Sequence, residues 1–582
     1  MGTARGRSLH AALRRMRVAV LAALIVALSL LYPGVAAAAD EVLTVTYPTT
    51  SAPAAGQVGD LVDVDVTTTA PGEVEGSFRP SGDDTAEWRP LDVVTLTPVV
   101  QPGSSAATAL VPAGSGPGAY DLRLRLLAGD GSVLAEDEAQ RALVVEDYGL
   151  PTGFETRDGA SWTTHAEELA FLDAVQDSPR VAVDVLGESV QGRPLHLLRL
   201  GHPSPPSVED AAEGRTVLLV CTQHGNEPAP RETCLRQIRR LAFTADSRTV
   251  DYLRSTTVFF VPTANPDGRE LNTRGNADGL DLNRDHLRLV TVEAQAMSRA
   301  LRDVRPDFFA DLHEFGTSSA SRPSLEVIWP RHLNVDEGVR SLGREWGDDW
   351  VRPRAEANGF STGPYIANPG TGENITILNS AGLRHAAAVL TESRTSRLPG
   401  EPNDTAFVQR RRVATQDMAV HESFRFHRVN AGRIAAAVDT ARERKIRAGL
   451  YRTGPYYWYG NSEDPGPPPD DAILRDPPCG YRLTLDQAAS VQPWIDGFAV
   501  ATVRLDDEIY VPMGQESQPV IGLMLDGRSA GSNEVEGRPW PSQPVRVPLR
   551  CATDRLGFEP PGDDDAPAET DPEVRQVMGL AP

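Results

Sequence analysis

Residues 216–242 read TVLLVCTQHGNEPAPRETCLRQIRRLA and contain the two elements that decide the fold. The first six residues are apolar without alternation, as in a strand that is buried on both faces. The residues after Pro228 have helical periodicity, and proline suits the first turn of a helix. A polar loop with His224 and Glu227 joins the two. The pattern indicates one strand and one helix of a parallel sheet that helices cover.

The same pattern continues through the middle of the chain. Three further apolar runs and a second helical pattern follow the first, and they are Thr257–Pro262, Asp307–Leu312, Ala386–Leu390 and Val292–Val304. Strands that alternate with helices are typical of α/β proteins. We therefore predict an α/β domain over residues 149–447.

The segments on both sides of this region have a different composition. Residues 40–148 contain short alternating runs between Gly, Pro and Ser turns, which predicts a β-sandwich-like domain. Residues 448–557 are Pro-rich and strand-like, so we expect a β-rich C-terminal domain. The acidic, Pro-containing tail over 558–582 is predicted to be disordered.

Charge and length exclude some classes of protein. The chain has 582 residues, 57 basic and 80 acidic side chains, and a formal net charge of −23. This length suits roughly three to four domains, so fibrous and wholly disordered classes are excluded. Nucleic acid is not an expected partner, because binding to phosphates needs clustered Lys and Arg. The sequence does not predict an oligomeric state.

The first 39 residues have the layout of a signal peptide. A basic segment precedes the apolar run Val18–Tyr32 and the small residues Val35–Ala39. The alternative is an uncleaved anchor, but the apolar run is shorter than the ~20 residues that a membrane span needs. No other stretch is long and apolar enough, so we expect a soluble mature chain that is exported.

Export allows the four cysteines to form disulfides. Cys479 and Cys551 are the favoured pair, since both lie in the C-terminal region. Cys221 ends an apolar run and Cys234 lies on a helix face, where a buried free thiol competes with a bridge.

Four polar side chains follow predicted strands at the same edge of the sheet. His224 and Glu227 follow the first apolar run, His313 ends the third, and Glu392 ends the fourth. Ligands of open α/β sheets bind outside the carboxyl ends of the strands, so these residues can converge there. Two His and one Glu give Zn²⁺ three ligands and leave a position for water, which is the pattern of a catalytic site.

A zinc hydrolase also needs a carboxylate that is not a ligand and acts as general base. Glu392 is the candidate. Glu314 is a competitor, but it adjoins His313 on extended backbone and should point to the other face.

Taken together, the motifs of residues 160–440 resemble the zinc metallocarboxypeptidases of the carboxypeptidase A type. The family's order of motifs is found here as Gly192-Arg193-Pro194, His224-x-x-Glu227, Asn265-Pro-Asp-Gly, Asp281-x-Asn283-Arg284, Asp311-Leu-His313 and Thr391-Glu392. The resemblance implies a mixed, mainly parallel sheet covered by helices on both faces, flanked by the β-rich segments.

The resemblance also implies a role for each site residue. His224, Glu227 and His313 would bind Zn²⁺, and Glu392 would activate water. Arg274 would stabilise the oxyanion, and Asp281 would orient His224. Asn283 and Arg284 would hold the terminal carboxylate of the substrate, and Tyr365 is the only nearby match to the family's mobile tyrosine, although its spacing from Glu392 is longer than the family's.

The implied function is an exported zinc carboxypeptidase that acts on peptide or protein C-termini, including cell-wall peptides. Two alternatives stay open. The separation of His224 from His313 is short, and the segment His224–Pro230 is similar to N-acyl-amino-acid deacylases, which share the zinc site. The third reading is a non-catalytic protein that binds wall or protein through its β-domains, with a degenerate enzyme domain.

Overall fold

A computed structural model of the chain describes residues 42–96, 99–365, 376–458, 470–529 and 538–540. The predicted signal peptide, the acidic tail and Cys551 lie outside these ranges.

The N-terminal part of the chain forms two sheets that enclose a core of their own. One sheet has the order β1-β3-β7-β6 and the other β2-β9-β8-β4-β5. Buried residues such as Val64, Phe78 and Leu124 fill the space between them, as alternation along the strands requires. The strands are β1 Leu43–Tyr47, β2 Ala54–Gln57, β3 Leu61–Thr68, β4 Glu73–Pro80, β5 Arg89–Leu91, β6 Val93–Thr95, β7 Gly103–Leu110, β8 Gly118–Leu127 and β9 Val133–Glu146.

The central part contains a sheet of eight strands in the order β10-β11-β13-β12-β14-β17-β15-β16. Strands β12, β13, β14 and β17 run parallel, whereas β10 and β11 pair with their neighbours in antiparallel fashion. Strand β15 is antiparallel to β17 and parallel to β16. The predicted fold class, a mixed and mainly parallel sheet, is confirmed. The strands are β10 Val181–Glu188, β11 Pro194–Leu200, β12 Arg215–Cys221, β13 Thr256–Val261, β14 Phe308–Phe315, β15 Leu325–Ile328, β16 Thr362–Pro364 and β17 Ala387–Arg394.

Helices cover both faces of this sheet, which explains its unbroken apolar runs. Within β12, Val217 and Leu219 belong to one buried cluster, while Leu218 and Val220 belong to another. Because successive side chains of a strand point to opposite faces, each face has its own core.

Several helices begin at residues whose side chains cap them. Asp404, for example, caps the longest helix with a side chain that accepts hydrogen bonds from the amides of Ala406 and Phe407. In the described ranges the helices are α1 Gly153–Thr156, α2 His165–Ala174, α3 Val208–Ala212, α4 Ala229–Phe243, α5 Ser247–Ser255, α6 Pro266–Leu271, α7 Val292–Val304, α8 Glu337–Glu345, α9 Arg352–Ala357, α10 Ile377–Leu383, α11 Thr405–Tyr451, α12 Leu485–Ser490, α13 Gln492–Gly497 and α14 Gln518–Leu525. Of these, α4 and α11 pack on one face of the sheet, and α7 and α10 pack on the other.

The C-terminal part combines strands with helices α12, α13 and α14. Its larger sheet has the order β21-β22-β20-β23, and a second sheet pairs β18 with β19. These helices are short, and their apolar residues are buried, as in α14. The strand-like composition of this segment therefore did not reveal them. The strands are β18 Tyr456–Tyr457, β19 Ile473–Leu474, β20 Gly480–Thr484, β21 Val503–Leu505, β22 Glu508–Pro512 and β23 Arg538–Trp540.

None of the helices in the described ranges is long and apolar enough to cross a membrane.

Candidate metal centre

Three side chains meet at the carboxyl edge of the central sheet. His224 and Glu227 lie in the loop after β12, and His313 lies near the end of the adjacent strand β14. Nδ1 of His224 is 2.8 Å from Oε1 of Glu227, and Nδ1 of His313 is 2.9 Å from Oε2 of the same carboxylate. The three ligand atoms lie within 4.8 Å of one another, and all three residues are buried.

The loop that carries His224 is held by close backbone packing. Thr222 has a φ of +53°, which turns the chain sharply out of β12. A Cβ on Gly225 would lie 1.9 Å from the carbonyl carbon of Gly268, so only glycine fits there. The side chain of Asn265 caps α6 through the amide of Gly268 and donates to the carbonyl of Gln223. The Asn265-Pro-Asp-Gly motif therefore supports the loop.

Each histidine ring contacts a carboxylate through Nε2, the nitrogen that does not face the centre. Oδ1 of Asp281 lies 3.1 Å from Nε2 of His224, and Oδ2 of Asp311 lies 2.9 Å from Nε2 of His313. These partners fix the protonated nitrogen of each ring at Nε2 and leave the lone pair of Nδ1 for the centre. Asp281 thus lies where the sequence-based interpretation puts it, whereas the role of Asp311 was not foreseen.

The centre favours a cation. Burial opposes the charged form of Glu227, but the two histidines outweigh it and hold the pKa of Glu227 well below its usual range. Burial also opposes the protonation of His313, yet Asp311 and Glu227 raise the pKa of His313 well above its usual range.

The donor set fits zinc. The Nδ1 atoms of His224 and His313 face each other at 3.1 Å, close enough for one cation to bind both. Two imidazoles and one carboxylate are one of the three-ligand sets found in catalytic zinc sites.

Glu392 adjoins this centre on the next strand. β14 and β17 are parallel and pair His313 with Glu392, so both side chains lie on the same face of the sheet. Oε2 of Glu392 is buried and has no hydrogen-bond partner among the described residues. Burial, and then the negative charge of Glu227, raise the pKa of Glu392 to about 8. A carboxylate in such a setting can accept a proton near neutral pH.

Arg274 reaches the same centre from the loop after α6. Its Nε donates to Oδ2 of Asp281 at 2.8 Å, and one terminal nitrogen lies 3.2 Å from Nδ1 of His224. The side chain is about half exposed. Its guanidinium is therefore accessible beside the ligand atoms, where an oxyanion would develop.

Asn283, Arg284 and Tyr365 surround the centre in different ways. The amide of Asn283 is buried, with Nδ2 3.0 Å from Nε2 of His313 and Oδ1 accepting from the backbone of Ile377. Arg284 is exposed. Tyr365 is partly buried, and burial followed by the charge of Glu392 raises its pKa to about 12.

Glu314 points away from the centre, as expected from its place next to His313 on extended backbone, and forms two 2.7 Å contacts with the guanidinium of Arg412. Other residues around the centre escaped the sequence interpretation. His286 lies 2.6 Å from Oε1 of Gln223, whose amide nitrogen in turn donates to Asp311. Gln223 and Asp311 both adjoin predicted strand ends next to ligand motifs, which is the signal that could have identified them.

Cys221 and Cys234 form a disulfide that joins the end of β12 to α4. Of the two possibilities left open for these cysteines, the bridge is the one found. Cys479 is also disulfide-bonded. Because Cys551 lies outside the described ranges, its pairing with Cys479 stays a prediction.

A mixed α/β sheet with two His and one Glu at its carboxyl edge defines a metallohydrolase domain. Residues 168–307 match the family described as zinc carboxypeptidase. The chain therefore contains a zinc carboxypeptidase domain, with Zn²⁺ as the metal of that family. The predicted family, enzyme class and cofactor are confirmed at this level.

Curated relatives bear the same kind of name. Carboxypeptidase 2 of Trichophyton equinum is 26% identical over 244 residues, which cover 40% of this chain and 45% of the relative. Carboxypeptidase E of Caenorhabditis elegans is 32% identical over 158 residues, 24% of this chain and 33% of the relative. The chain thus spans about half the length, or less, of these relatives.

Among solved structures, a metallo-carboxypeptidase from Burkholderia cenocepacia is similar with a TM-score of 0.38 and 17% identity, over 69% of this chain and 100% of that one. A metallo-carboxypeptidase from Pseudomonas aeruginosa has a TM-score of 0.37 and 16% identity, over 67% and 97%.

Proposed function

We propose that the protein is an exported zinc carboxypeptidase that hydrolyses the C-terminal amide bond of peptides. One observation carries the proposal: three buried ligand atoms from His224, Glu227 and His313 lie within 4.8 Å of one another, beside the carboxylate of Glu392, which is not one of the three.

In this proposal His224, Glu227 and His313 hold the metal. Bound zinc would supply Lewis acidity, lowering the pKa of a water molecule and polarising the scissile carbonyl. Asp281 and Asp311 keep the histidine rings oriented, because each carboxylate contacts the far nitrogen of one ring.

Glu392 serves as the general base. It accepts the proton of the attacking water and returns it to the leaving amine. Without metal, burial and the charge of Glu227 raise the pKa of Glu392 to about 8. The positive charge of a bound Zn²⁺ would lower this pKa, so that the group could be deprotonated and reprotonated near neutral pH. Its unpartnered Oε2 is free to take part in the hydrogen bond that the transfer needs.

Arg274 and Arg284 would each bind a different negatively charged group of the reaction. Arg274 lies beside the ligand atoms and would stabilise the oxyanion. The exposed Arg284, with Asn283 and Tyr365 nearby, would receive the terminal carboxylate of the substrate. Free peptide or protein C-termini, including those of cell-wall peptides, are the substrate class that this arrangement suits.

The test combines metal analysis with product analysis on the zinc-loaded full chain. We expect one zinc per chain and stepwise release of amino acids from peptides with a free C-terminus, with little release from the same peptides amidated. Glu392→Gln should retain zinc and lose about 10²–10⁴-fold in turnover. The control is Glu443→Gln, which makes the same change at an exposed position of α11.

Three results would contradict parts of the proposal. Substantial turnover by Glu392→Gln would assign the base to another residue. Release of acyl groups from N-acyl amino acids, without release from peptides, would favour a deacylase. Zinc without any turnover would favour a binding protein on an enzyme scaffold.

A further inference from the structure

A cavity of about 260 Å³ lies between the central sheet's helices and the C-terminal part of the chain. Helix α7, the turn between α10 and β17, helix α11 and residues 498–520 form its walls. Glu392 lies at the opposite end of β17, seven residues beyond His385. At about 3.3 Å per residue, the cavity lies roughly 23 Å from Glu392 along the strand.

The cavity is lined with positive charge, although the protein as a whole is acidic. Four arginines line it, whereas Glu516 is the one acidic residue among the lining residues. Arg305 pairs with this Glu516, and Arg302 pairs with Asp303 next to it in sequence. The other two arginines, Arg384 and Arg442, have weaker compensation.

Arg384 has no carboxylate within ion-pair distance among the residues that the structure describes. Its terminal nitrogens donate to the carbonyl of Gly497 and to the hydroxyl of Ser298, and its guanidinium stacks on Phe498 at 3.8 Å. Nε of Arg384 is buried without a partner. Burial, and then the charge of Arg302, lower the pKa of Arg384 to about 9, so an anion here would relieve an unfavourable environment.

Arg442 projects from α11 into the same cavity. Its one ion pair within the described ranges is a 3.5 Å contact with Asp439, which lies three residues earlier and is largely exposed. A pair of this kind is weak, because water screens it. The positive charge of Arg442 is therefore available to a ligand.

His385 adds a hydrogen-bond acceptor. It is 2% exposed, and its Nε2–H donates to the backbone carbonyl of Glu516 at 3.0 Å. This bond assigns the lone pair to Nδ1, which is buried and has no partner in the described part of the chain. The residue has a φ of +76°, a backbone conformation that glycine usually occupies after a helix. The presence of histidine at a position that favours glycine indicates that its ring has a function.

We propose that this cavity binds inorganic phosphate. Guanidinium groups match the geometry of tetrahedral oxyanions. Hydrogen phosphate also carries an O–H group, which can donate to Nδ1 of His385, whereas sulfate has no proton to donate. The cavity should therefore select phosphate over sulfate.

The test is calorimetric titration of the zinc-loaded full chain at pH 7 and constant ionic strength. The probes are sodium phosphate, sodium sulfate and glycerol phosphate, the last to separate free phosphate from phosphate esters. We expect saturable binding of phosphate, with sulfate weaker by about tenfold or more because one buried acceptor stays unpaired.

Variants locate the site. Arg442→Gln and Arg384→Gln should each weaken phosphate binding by about tenfold. Arg447→Gln removes the same charge at an exposed position of α11 outside the cavity and should change nothing. His385→Asn, in which asparagine tolerates the left-handed backbone, should reduce the preference for phosphate over sulfate. Melting temperatures without phosphate show that each variant is folded.

Several outcomes would overturn the proposal. Absence of saturable phosphate binding would remove the site. Unchanged binding in both Arg442→Gln and Arg384→Gln would assign the phosphate to another place, such as the metal centre. Equal affinity for phosphate and sulfate would remove the role of His385, and tighter binding of glycerol phosphate would make an ester the ligand class.

Discussion

Asp281 connects two of the groups that the reaction would need. One carboxylate oxygen contacts Nε2 of His224, and the other accepts from Nε of Arg274. Burial opposes its charge, but His224 and Arg274 outweigh it and hold the pKa of Asp281 well below its usual range. Asp281 therefore stays ionised and fixes both the ring and the guanidinium.

This arrangement predicts that Asp281→Asn weakens zinc binding by about tenfold, since the neutral amide supports His224 less strongly. Competition with a chelator of known affinity measures the effect. Asp278→Asn, three residues away and exposed, is the matched control. Equal zinc affinity in Asp281→Asn and the control would show that the contact does not tune the metal.

At the scale of residues, the sequence identified the donors but not their surroundings. His224, His313 and Glu392 could be selected because each follows an apolar run at one sheet edge. The disulfide between Cys221 and Cys234 could not, because it depends on the 6.8 Å separation of two Cα atoms on a strand and a helix. Spacing along the chain does not define that distance.

At the scale of elements, the register between β12, β14 and β17 holds the site together. Asp307 precedes β14 and bonds twice to Thr216 of β12. The amide of Asp307 donates to the carbonyl of Thr216, and Oδ2 of Asp307 accepts from the amide of Thr216. The carbonyl of Asp307 accepts from Ala387, which begins β17. One residue thus connects three neighbouring strands.

Asp307 makes the stability of this junction depend on pH. Burial raises the pKa of Asp307 to about 6, above the value of about 3.9 in unfolded chains. The folded state then binds more protons, so its stability is fullest below about pH 4 and falls as the pH rises through 6. We expect Asp307→Asn to remove this loss.

The measurement is urea denaturation at pH 4.5 and pH 7.5. At the higher pH, Asp307→Asn should exceed the wild type in free energy of unfolding by on the order of 2 kcal/mol, with a smaller difference at the lower pH. Asp173→Asn, at an exposed position of α2, serves as the control. If the difference in free energy of unfolding between Asp307→Asn and the wild type is the same at both pH values, Asp307 is ionised in the folded state as well as in the unfolded state.

Elements with a simple pattern were predictable, and those defined by their partners were not. The helix α7, Val292–Val304, has the predicted bounds because Thr291 caps it and its apolar face is regular. Strands β10, β11 and β15 were missed. The residues of β10 show no regular alternation and most of them are only partly buried, so only its pairing with β11 defines it as a strand of this sheet.

At the scale of the whole molecule, the N-terminal sheets are attached to the central domain by buried charges. Asp63 in β3 is 5% exposed, and its Oδ1 lies 3.1 Å from Nε2 of His421 in α11. Its Oδ2 lies 2.5 Å from the guanidinium of Arg428. Nearby, Tyr47 donates to Asp246 at 2.5 Å. These contacts make the sandwich part of one folded unit with the central domain.

Asp63 is the negative centre of this interface. Burial opposes its ionisation, but His421 and the neighbouring arginines outweigh it and hold the pKa of Asp63 well below its usual range. Stability from a lowered pKa is present above the unfolded value of about 3.9 and is lost as the pH falls toward the folded value. Asp63→Asn should therefore destabilise the protein most at neutral pH.

We expect Asp63→Asn to lower the free energy of unfolding by roughly 3 kcal/mol at pH 7, because Arg428 and its neighbours would be buried without their counter-charge. Asp92→Asn, at an exposed position of the same sandwich, is the control.

Limited proteolysis gives a second readout: cleavage between Glu146 and Thr152, the connection to the central domain, should accelerate in Asp63→Asn only. If Asp63→Asn and Asp92→Asn melt and are cleaved alike, the sandwich is held by its apolar contacts instead, and its charges serve only to orient it. Zinc content should be the same in both variants, since the interface and the metal centre share no residue.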